Sequence, residues 1–534
     1  MSLIMEALDC PEAANSRVFC LSHGTQPILV SELSHQSRRA AAWLQNLSGD
    51  GGTVAALLTA SHDCLAVIFA AFRSGVTLVS LPHPARGMGM DDYMSQITAM
   101  CTMTGATHLV ADPEFLSLLA SAPVPVHGFN EFESTHSTLD GNVPGSFVQF
   151  TSGSTNTPRG IALSLDAIDA NITSMYDWLP PRPGVVICSW LPLSHDMGLI
   201  GFALYGLCSV CPPWSSSVDV VLLKPEDFLA DPGVWLKACT EFGATSTAAP
   251  PFALRFASRA LRTTRATYDL STLRSLVVGS EPVSADGLRA FTEEATLHGL
   301  PPNALCNGYG MAEVSLAVAI GSPHEPWSSV RVDPECLGER RWSEVAEGGL
   351  ELVSCGPPLR DIEVRISGGT AVGELEIKSP SLLSRYVGEE ASPTSLDGWL
   401  HTADLAHFDN GQLYVAGRSD DVFVIAGRNI DARALDAVAG SHAGTRPGNV
   451  AAVPDGGGRY VVLAEPNSPV PGRDALQQAA REIRVALLSR FGASPSAVVF
   501  IERGTLPKTP SGKIRRNHLH ALWRDGNLTE VTSG

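Results

Sequence analysis

The sequence predicts an α/β protein: a large N-terminal domain of mixed and parallel sheets with helices, a small barrel-like β subdomain, and a small α+β domain at the C-terminus. Three observations predict it. Strand-like and helix-like segments alternate through the first part of the chain, as in parallel sheets covered by helices on both faces. From about Gly349 the texture changes to short alternating strands with glycine-rich turns, as in an antiparallel sheet or barrel. A last compact segment then follows Gly417 to Asp421. Taken in order, Ser31 to Leu47 has helical spacing, Thr53 to Thr59 is a short apolar strand, Asp63 to Ser74 is helical, and Val76 to Leu81 is a buried strand ending at Pro82. Similar units recur at Val185 to Trp190 and Ser275 to Val278. The later strands are Leu350 to Ser354, Glu363 to Ile366, Glu374 to Lys378 and Gln412 to Ala416. In the last segment Arg459 to Ala464 reads as a strand and Arg473 to Phe491 as a helix.

At 534 residues the chain is long enough for two or more domains, and 44% hydrophobic with 17% charged residues is a globular composition. A formal charge of −18 argues against a general nucleic-acid or anionic-membrane binder, because contact with phosphates needs a basic face. The N-terminus lacks a basic-then-apolar secretory signal, and the most apolar region, Val54 to Leu81, is broken by His62, Asp63 and Arg73. A cytoplasmic protein without a membrane span is expected. Of the eleven cysteines most stand singly in apolar runs and read as small buried hydrophobes. Cys208 and Cys211 form one Cys-x-x-Cys, but a zinc site needs four ligands and no second pair is present.

The segment Thr151 to Gly160, Thr-Ser-Gly-Ser-Thr-Asn-Thr-Pro-Arg-Gly, follows the apolar run Ser146 to Phe150 and precedes a helix-compatible one. At such a strand-to-helix turn, backbone N–H groups and hydroxyls can close around phosphate oxygens, with Arg159 adding charge. It does not match the Walker pattern. A cluster of small polar residues is equally a solvated turn. Four further segments follow in order: Asn307-Gly308-Tyr309-Gly310-Met311-Ala312-Glu313, Asp397 to Asp404, Gly417-Arg418-Ser419-Asp420-Asp421, and Pro507 to Ile514.

With the loop, this ordered set resembles the signature motifs of the adenylate-forming superfamily of acyl-CoA synthetases, peptide-synthetase adenylation domains and luciferases. Trp190-Leu-Pro-Leu-Ser-His-Asp-Met-Gly-Leu199, with Gly279 to Pro282 and Val353-Ser354-Cys355-Gly356, resembles its fatty-acyl-AMP ligase branch. That resemblance implies a core at residues 1–417, a hinge at 418–421 and a mobile lid at 422–534. It also implies that a carboxylic acid is activated with ATP and Mg²⁺ as acyl-AMP, pyrophosphate leaves, and the acyl group passes to the phosphopantetheine thiol of an acyl carrier protein. A carboxylate is a poor electrophile, and adenylation turns one of its oxygens into a good leaving group; the enzyme must hold two anions together and stabilise charge growing at phosphorus.

Carried over residue by residue, the resemblance puts the β- and γ-phosphates on Thr151, Ser152, Gly153, Ser154 and Thr155, with Arg159 where the family usually has lysine and Asn156 where it has glycine. Glu313 is the magnesium ligand, a helix-capping glutamate being the plainer reading. Tyr309 offers a ring face to adenine, Gly279, Ser280, Glu281 and Pro282 run along it, and Asn307, Gly310 and Met311 are further nucleotide-binding residues. Asp404 accepts from the ribose hydroxyls, Ala403 stands at a usual glycine, Arg418 meets phosphate or ribose, and Asp420 is the hinge. Lys513 is the catalytic lysine, with Lys508 its competitor. His195, Met197 and Gly198 adjoin the substrate carboxylate, although His195 with Asp196 also reads as a structural pair. Pocket walls include Ala249 to Phe256, and Arg515, Arg516 and Arg524 are candidates for docking the carrier. An acyl-CoA ligase shares every adenylation residue; activation of a β-amino or hydroxy acid, or a nucleotide-binding pseudoenzyme marked by Asn156, Arg159 and Ala403, are the remaining alternatives.

Overall fold

The structure, a computed structural model, describes residues 2–84, 88–139, 143–151, 159–214, 217–263, 267–425, 428–469, 472–508 and 514–531. Two large mixed sheets carry the N-terminal part. One has eight strands, in which Leu305–Gly310, Ser275–Val278, Ser246–Ala249, Val185–Ser189, Val218–Leu222 and Arg17–Cys20 run parallel, with antiparallel edges at Ala317–Ile320 and Ile28–Leu29. The other has seven: Thr53–Leu57, Thr77–Leu81, His108–Ala111, Val126–Gly128 and Ser146–Thr151 are parallel, and Arg159–Ser164 and Arg385–Tyr386 are added antiparallel. The predicted helix and strands between Ser31 and Leu81 form within a residue or two of their expected bounds.

Helix His62–Arg73 shows why the early segments fold as they do. Ser61 accepts from the Cys64 N–H and caps the first turn, Asp63 and Arg73 suit the two ends of the helix dipole, and apolar side chains all round bury it between layers. Leu165–Trp178 is capped in the same way by Ser164, whose hydroxyl accepts from Ala167.

One expectation is corrected. The segment after Phe150 leads into a strand, not a helix: Thr151 pairs with Arg159 and Phe150 with Gly160 in an antiparallel hairpin, and the helix begins only at Leu165. Alternation through Ile161-Ala162-Leu163, with Ile161 and Leu163 buried, favours the pleated strand, so no helix N-terminus points at the loop.

The strands after Gly349 form a four-stranded antiparallel sheet of Glu363–Ile366, Gly373–Lys378, Leu400–Asp409 and Gln412–Arg418, with a two-stranded ribbon, Ser329–Val332 with Leu350–Val353. Beyond the short turn Ser419–Asp421, the C-terminal residues bury clusters of their own, one around Leu435, Tyr460, Ile483 and Leu487 and one around Val461, Ile501 and Leu519. All eleven cysteines are free thiols; Cys211 lies 3.2 Å from Cys10, sulfur to sulfur. Among the described residues no helix is long and apolar enough to cross a membrane.

Candidate active site

The segments singled out in the sequence converge because neighbouring parallel strands end side by side. Trp190 follows the strand ending at Ser189, Pro250 the one ending at Ala249, Gly279 the one ending at Val278, and Met311 the one ending at Gly310. Ligands bind to open α/β sheets at such carboxyl ends. There the structure opens a cleft of 3230 Å³, well above the volume of an ordinary small-molecule pocket, reaching from the sheets to the C-terminal unit.

Its floor is made of close backbone. A Cβ at Gly310 would stand 1.9 Å from the Leu316 carbonyl oxygen, and one at Gly279 would stand 2.8 Å from that of Gly308. Ser280 takes a left-handed φ of 69° and its hydroxyl contacts the Met197 sulfur at 3.3 Å. Asn307 is buried; its Nδ2 donates to the Ser354 carbonyl at 2.9 Å and approaches Cys355 Sγ at 3.5 Å, so the Val-Ser-Cys-Gly segment braces this side chain. Among the described residues, no donor meets the buried Asn307 Oδ1. An exocyclic amino group is the kind of donor that would satisfy it.

Across the floor, Tyr309 donates to Asp404 Oδ2 at 2.6 Å. Burial, then the Asp404 charge, pushes the phenol far above its usual range and keeps it a donor. Asp404 and Arg418 face each other across the antiparallel pair Leu400–Asp409 and Gln412–Arg418, with Arg418 Nη1 at 3.7 Å from Asp404 Oδ1. Ala403 has φ 59°, and its N–H donates to Glu374 at 2.9 Å. A left-handed L-residue costs about 1–2 kcal/mol, which gives the physical reason glycine is usual there.

Glu313 sits on a single turn, Ala312–Val314, half-buried, with the Tyr386 hydroxyl 3.5 Å from its carboxylate. Burial raises its pKa first, the Asp196 and Asp404 charges add to that, and Arg159 opposes them. A divalent cation bound there would relieve that penalty, and a lone carboxylate is a donor set Mg²⁺ accepts when phosphate and water complete it. Arg159 does not project free into the cleft: it is held bidentate by Glu389 at 2.7 Å on both oxygens, and its guanidinium lies 3.4 Å from the centre of the Tyr386 ring. Tyr386 and Glu389 are site residues the sequence reading missed; they lie more than 220 positions from Arg159, and no local pattern marks them.

His195 precedes the turn Asp196–Gly198, in which the Met197 N–H donates to Asp196 Oδ1 at 2.7 Å and which runs on into a π-helical stretch, Leu199–Leu204, a geometry common at functional sites. Its Nδ1 is 2.6 Å from Asp196 Oδ1, leaving Nε2 as the nitrogen that can meet a substrate. Burial lowers its pKa, but the Asp196 charge and hydrogen bond, with Glu281 behind them, outweigh burial and raise it overall. The proton-linked stabilisation is therefore fully present below the ordinary value near 6.5 and is lost as pH rises through the higher folded value. In an NMR titration, Asp196→Asn should bring the His195 pKa back down; an unmoved titration would remove Asp196 as the cause.

Thr151, Arg159, His195, Met197, Gly279 to Pro282, Asn307, Tyr309, Gly310, Met311, Glu313, Asp404 and Arg418 all line this cleft. Gly198 is buried and is not among its walls. Ser152, Gly153, Ser154, Thr155 and Lys513, with the side chain of Asp420, lie outside the described residues. The flanks of Lys513 are described. Lys508 and Ile514 form an antiparallel bridge, and both line the cleft.

Arg516 is half-buried and its guanidinium is taken up by two carboxylates. It meets Asp421 at 2.9 Å and Asp436 at 2.7 Å, which removes it from any docking patch. Arg524 is exposed and, among the described residues, pairs with Asp525 at 3.1 Å.

Comparison with known proteins agrees with this geometry. The profile of the AMP-binding enzyme family matches residues 13–387. The long-chain-fatty-acid–AMP ligase FadD26 of Mycobacterium marinum is 32% identical over 427 residues, covering 72% of this chain and 71% of that protein. A Caulobacter vibrioides protein carrying the name acyl-CoA synthetase is 30% identical over 517 residues, 89% of this chain and 86% of that one. A solved chain from work on the fatty acyl-adenylate ligases of E. coli and L. pneumophila superposes with a TM-score of 0.87 at 26% identity, covering 99% of this chain and 98% of its own. With its fold, its cleft and these matches, the chain belongs to the AMP-binding enzyme family and is an AMP-forming ligase.

Proposed function

We propose that the chain activates a carboxylic acid, of the fatty-acid class on which FadD26 is named, as its acyl-adenylate, and passes the acyl group to the phosphopantetheine thiol of an acyl carrier protein. The observation that carries the reading is the convergence of His195, the Asn307–Glu313 segment with Asn307, Tyr309 and Glu313, and Asp404 on one cleft from three separate stretches of chain. In this reading the orphaned Asn307 Oδ1 takes the adenine amino group, Asp404 takes the ribose hydroxyls, and Thr151 to Thr155 cradle phosphates. Glu313 holds Mg²⁺, which supplies charge neutralisation on the phosphates. His195, whose pKa Asp196 raises, presents its Nε2 to the substrate carboxylate. A carboxylate oxygen bonds to the α-phosphorus as the bond to pyrophosphate breaks; afterwards the thiol sulfur bonds to the acyl carbon as AMP leaves. Residues 1–417 act as core, 418–421 as hinge and 422–534 as lid, with Asp420 and Arg418 at the turn and Lys513 reaching the reacting atoms. ATP as substrate favours a cytoplasmic setting.

ATP–pyrophosphate exchange across a panel of carboxylic acids tests the first half-reaction; no exchange with any acid would overturn it. Thioester formation on holo-carrier compared with coenzyme A tests the second, and faster consumption of coenzyme A would replace the reading with an acyl-CoA ligase. Glu313→Gln should raise the Mg²⁺ concentration for half-maximal exchange about tenfold, because the amide keeps an oxygen but loses the charge that competes with ion hydration. An unchanged titration would assign Glu313 to holding the Ala312–Val314 turn.

A further inference from the structure

Charge is divided unevenly along this acidic chain. Residues 422–534 carry 14 Lys/Arg against 9 Asp/Glu, whereas residues 1–421 carry 23 against 46. The C-terminal unit is therefore a basic body on an acidic one. Such asymmetry points to a partner of opposite sign.

Helix Arg473–Phe491 concentrates the feature. Its inner face, Ala479, Ile483, Leu487 and Phe491 at steps of four, is buried in the unit's own core. The opposite face holds Gln477, Arg481, Arg484, Val485 and Leu488 within one stripe. Val485 is 66% exposed and Leu488 51%, an outlay of apolar surface that the unit's folding does not use. Both arginines are steadied by neutral partners, Arg481 on the Gln478 carbonyl oxygen at 2.8 Å and Arg484 on the Ser496 carbonyl at 2.9 Å, so their charge is presented rather than quenched. Glu482, on the flank, is turned to His442 at 2.7 Å. The C-terminal end of the same helix reaches the cleft: Arg490, on the side of the helix away from Leu488, donates to the Gly349 carbonyl at 3.2 Å, and Arg490 and Gly349 line the cleft.

We propose that this face, Arg481, Arg484, Val485 and Leu488, is where the carrier docks, receiving an acidic helix with a central apolar side chain. This rests on the carrier reading above and replaces Arg515, Arg516 and Arg524 as the docking residues. A partner seated there sits on the helix whose last turn meets the cleft at Arg490 and Gly349, so a flexible thiol-bearing arm would pass round that end to enter. An anionic lipid surface is disfavoured, since two apolar side chains give little area to insert and the rest of the molecule is repelled.

The test uses the full chain and a holo type II acyl carrier protein as probe. Arg481→Glu with Arg484→Glu should lower kcat/KM for carrier loading at least tenfold at low salt, with the gap narrowing as salt rises, while pyrophosphate exchange and acyl transfer to free pantetheine stay at the wild-type level. Val485→Asp should do the same without the salt dependence, and Arg524→Glu should do nothing. Equal loading by wild type and variants would overturn the docking face alone. No loading of the carrier by wild type, with exchange intact, would overturn the carrier reading and the docking face together. Sedimentation of wild type but not the double variant with phosphatidylserine vesicles, with loading unchanged, would assign the stripe to lipid.

Discussion

Replacing Lys513 with alanine should lower acyl-adenylate formation from acid and ATP by about 10²–10³, the usual effect of losing one well-aimed electrostatic group, and leave consumption of presynthesised acyl-adenylate nearly intact. The split is expected because the lysine serves charge growing at phosphorus, which the second half-reaction lacks. The base of its loop supports the assignment: Lys508 bridges Ile514, Arg515 N–H donates to the Pro507 carbonyl at 2.9 Å, and Arg516 is clamped by Asp421 and Asp436. Lys508 and Ile514, which flank the stretch that holds Lys513, both line the cleft. Lys508 makes the comparison internal. Its ammonium is bound to the Gly448 carbonyl at 2.8 Å and burial pushes its pKa down, so Lys508→Ala should cost much less. Pyrophosphate exchange by Lys513→Ala near the wild-type rate would remove that residue from the mechanism.

Asp404→Ala should raise KM for ATP about 100-fold. Hydrogen bonds to a charged group are worth roughly 1.5–3 kcal/mol each, and the loss of two to the ribose hydroxyls, partly replaced by water, comes to about two factors of ten. The same change deprives the Tyr309 phenol of its acceptor and Arg418 of a facing carboxylate. Tyr309→Phe separates these effects: it leaves Asp404 free for ribose and should move KM far less. An Asp404→Ala enzyme with unaltered KM for ATP would place the ribose elsewhere.

Much of this was legible in the sequence because the strand ends carry the motifs. Gly279, Asn307, Glu313 and Asp404 are short-range patterns whose chemistry can be named before their neighbours are known. What was illegible depends on pairs made only by folding. Arg159 reads as a free phosphate ligand until Glu389 and Tyr386 are brought to it, and Arg516 reads as a surface charge until Asp421 and Asp436 enclose it. The loop after Phe150 was misread for a local reason: Gly160-Ile-Ala-Leu is compatible with helix or strand, and the decision is made by pairing with Ser146–Thr151. Ala403 was visible as an exception, and the backbone explains the rule it breaks.

The glycines on the cleft floor, where the proposed reading seats the nucleotide, limit how such an enzyme can change. Where Gly310 and Gly279 pass within 1.9 and 2.8 Å of backbone oxygen, counted from the missing Cβ, there is no room for any side chain. Mutation at those positions can break the shelf but cannot reshape it. A variant selected to use a different nucleotide would have to be altered at the rim, at Asn307 or the Ser354–Cys355 brace behind it. The acid, in the proposed reading, would be met by side chains such as Phe252 and Phe256 along the same cleft, which no backbone contact holds to one residue type. The architecture thus freezes one substrate and leaves the other open to drift, so descendants of this chain should diversify in the acid they accept far sooner than in the nucleotide they use.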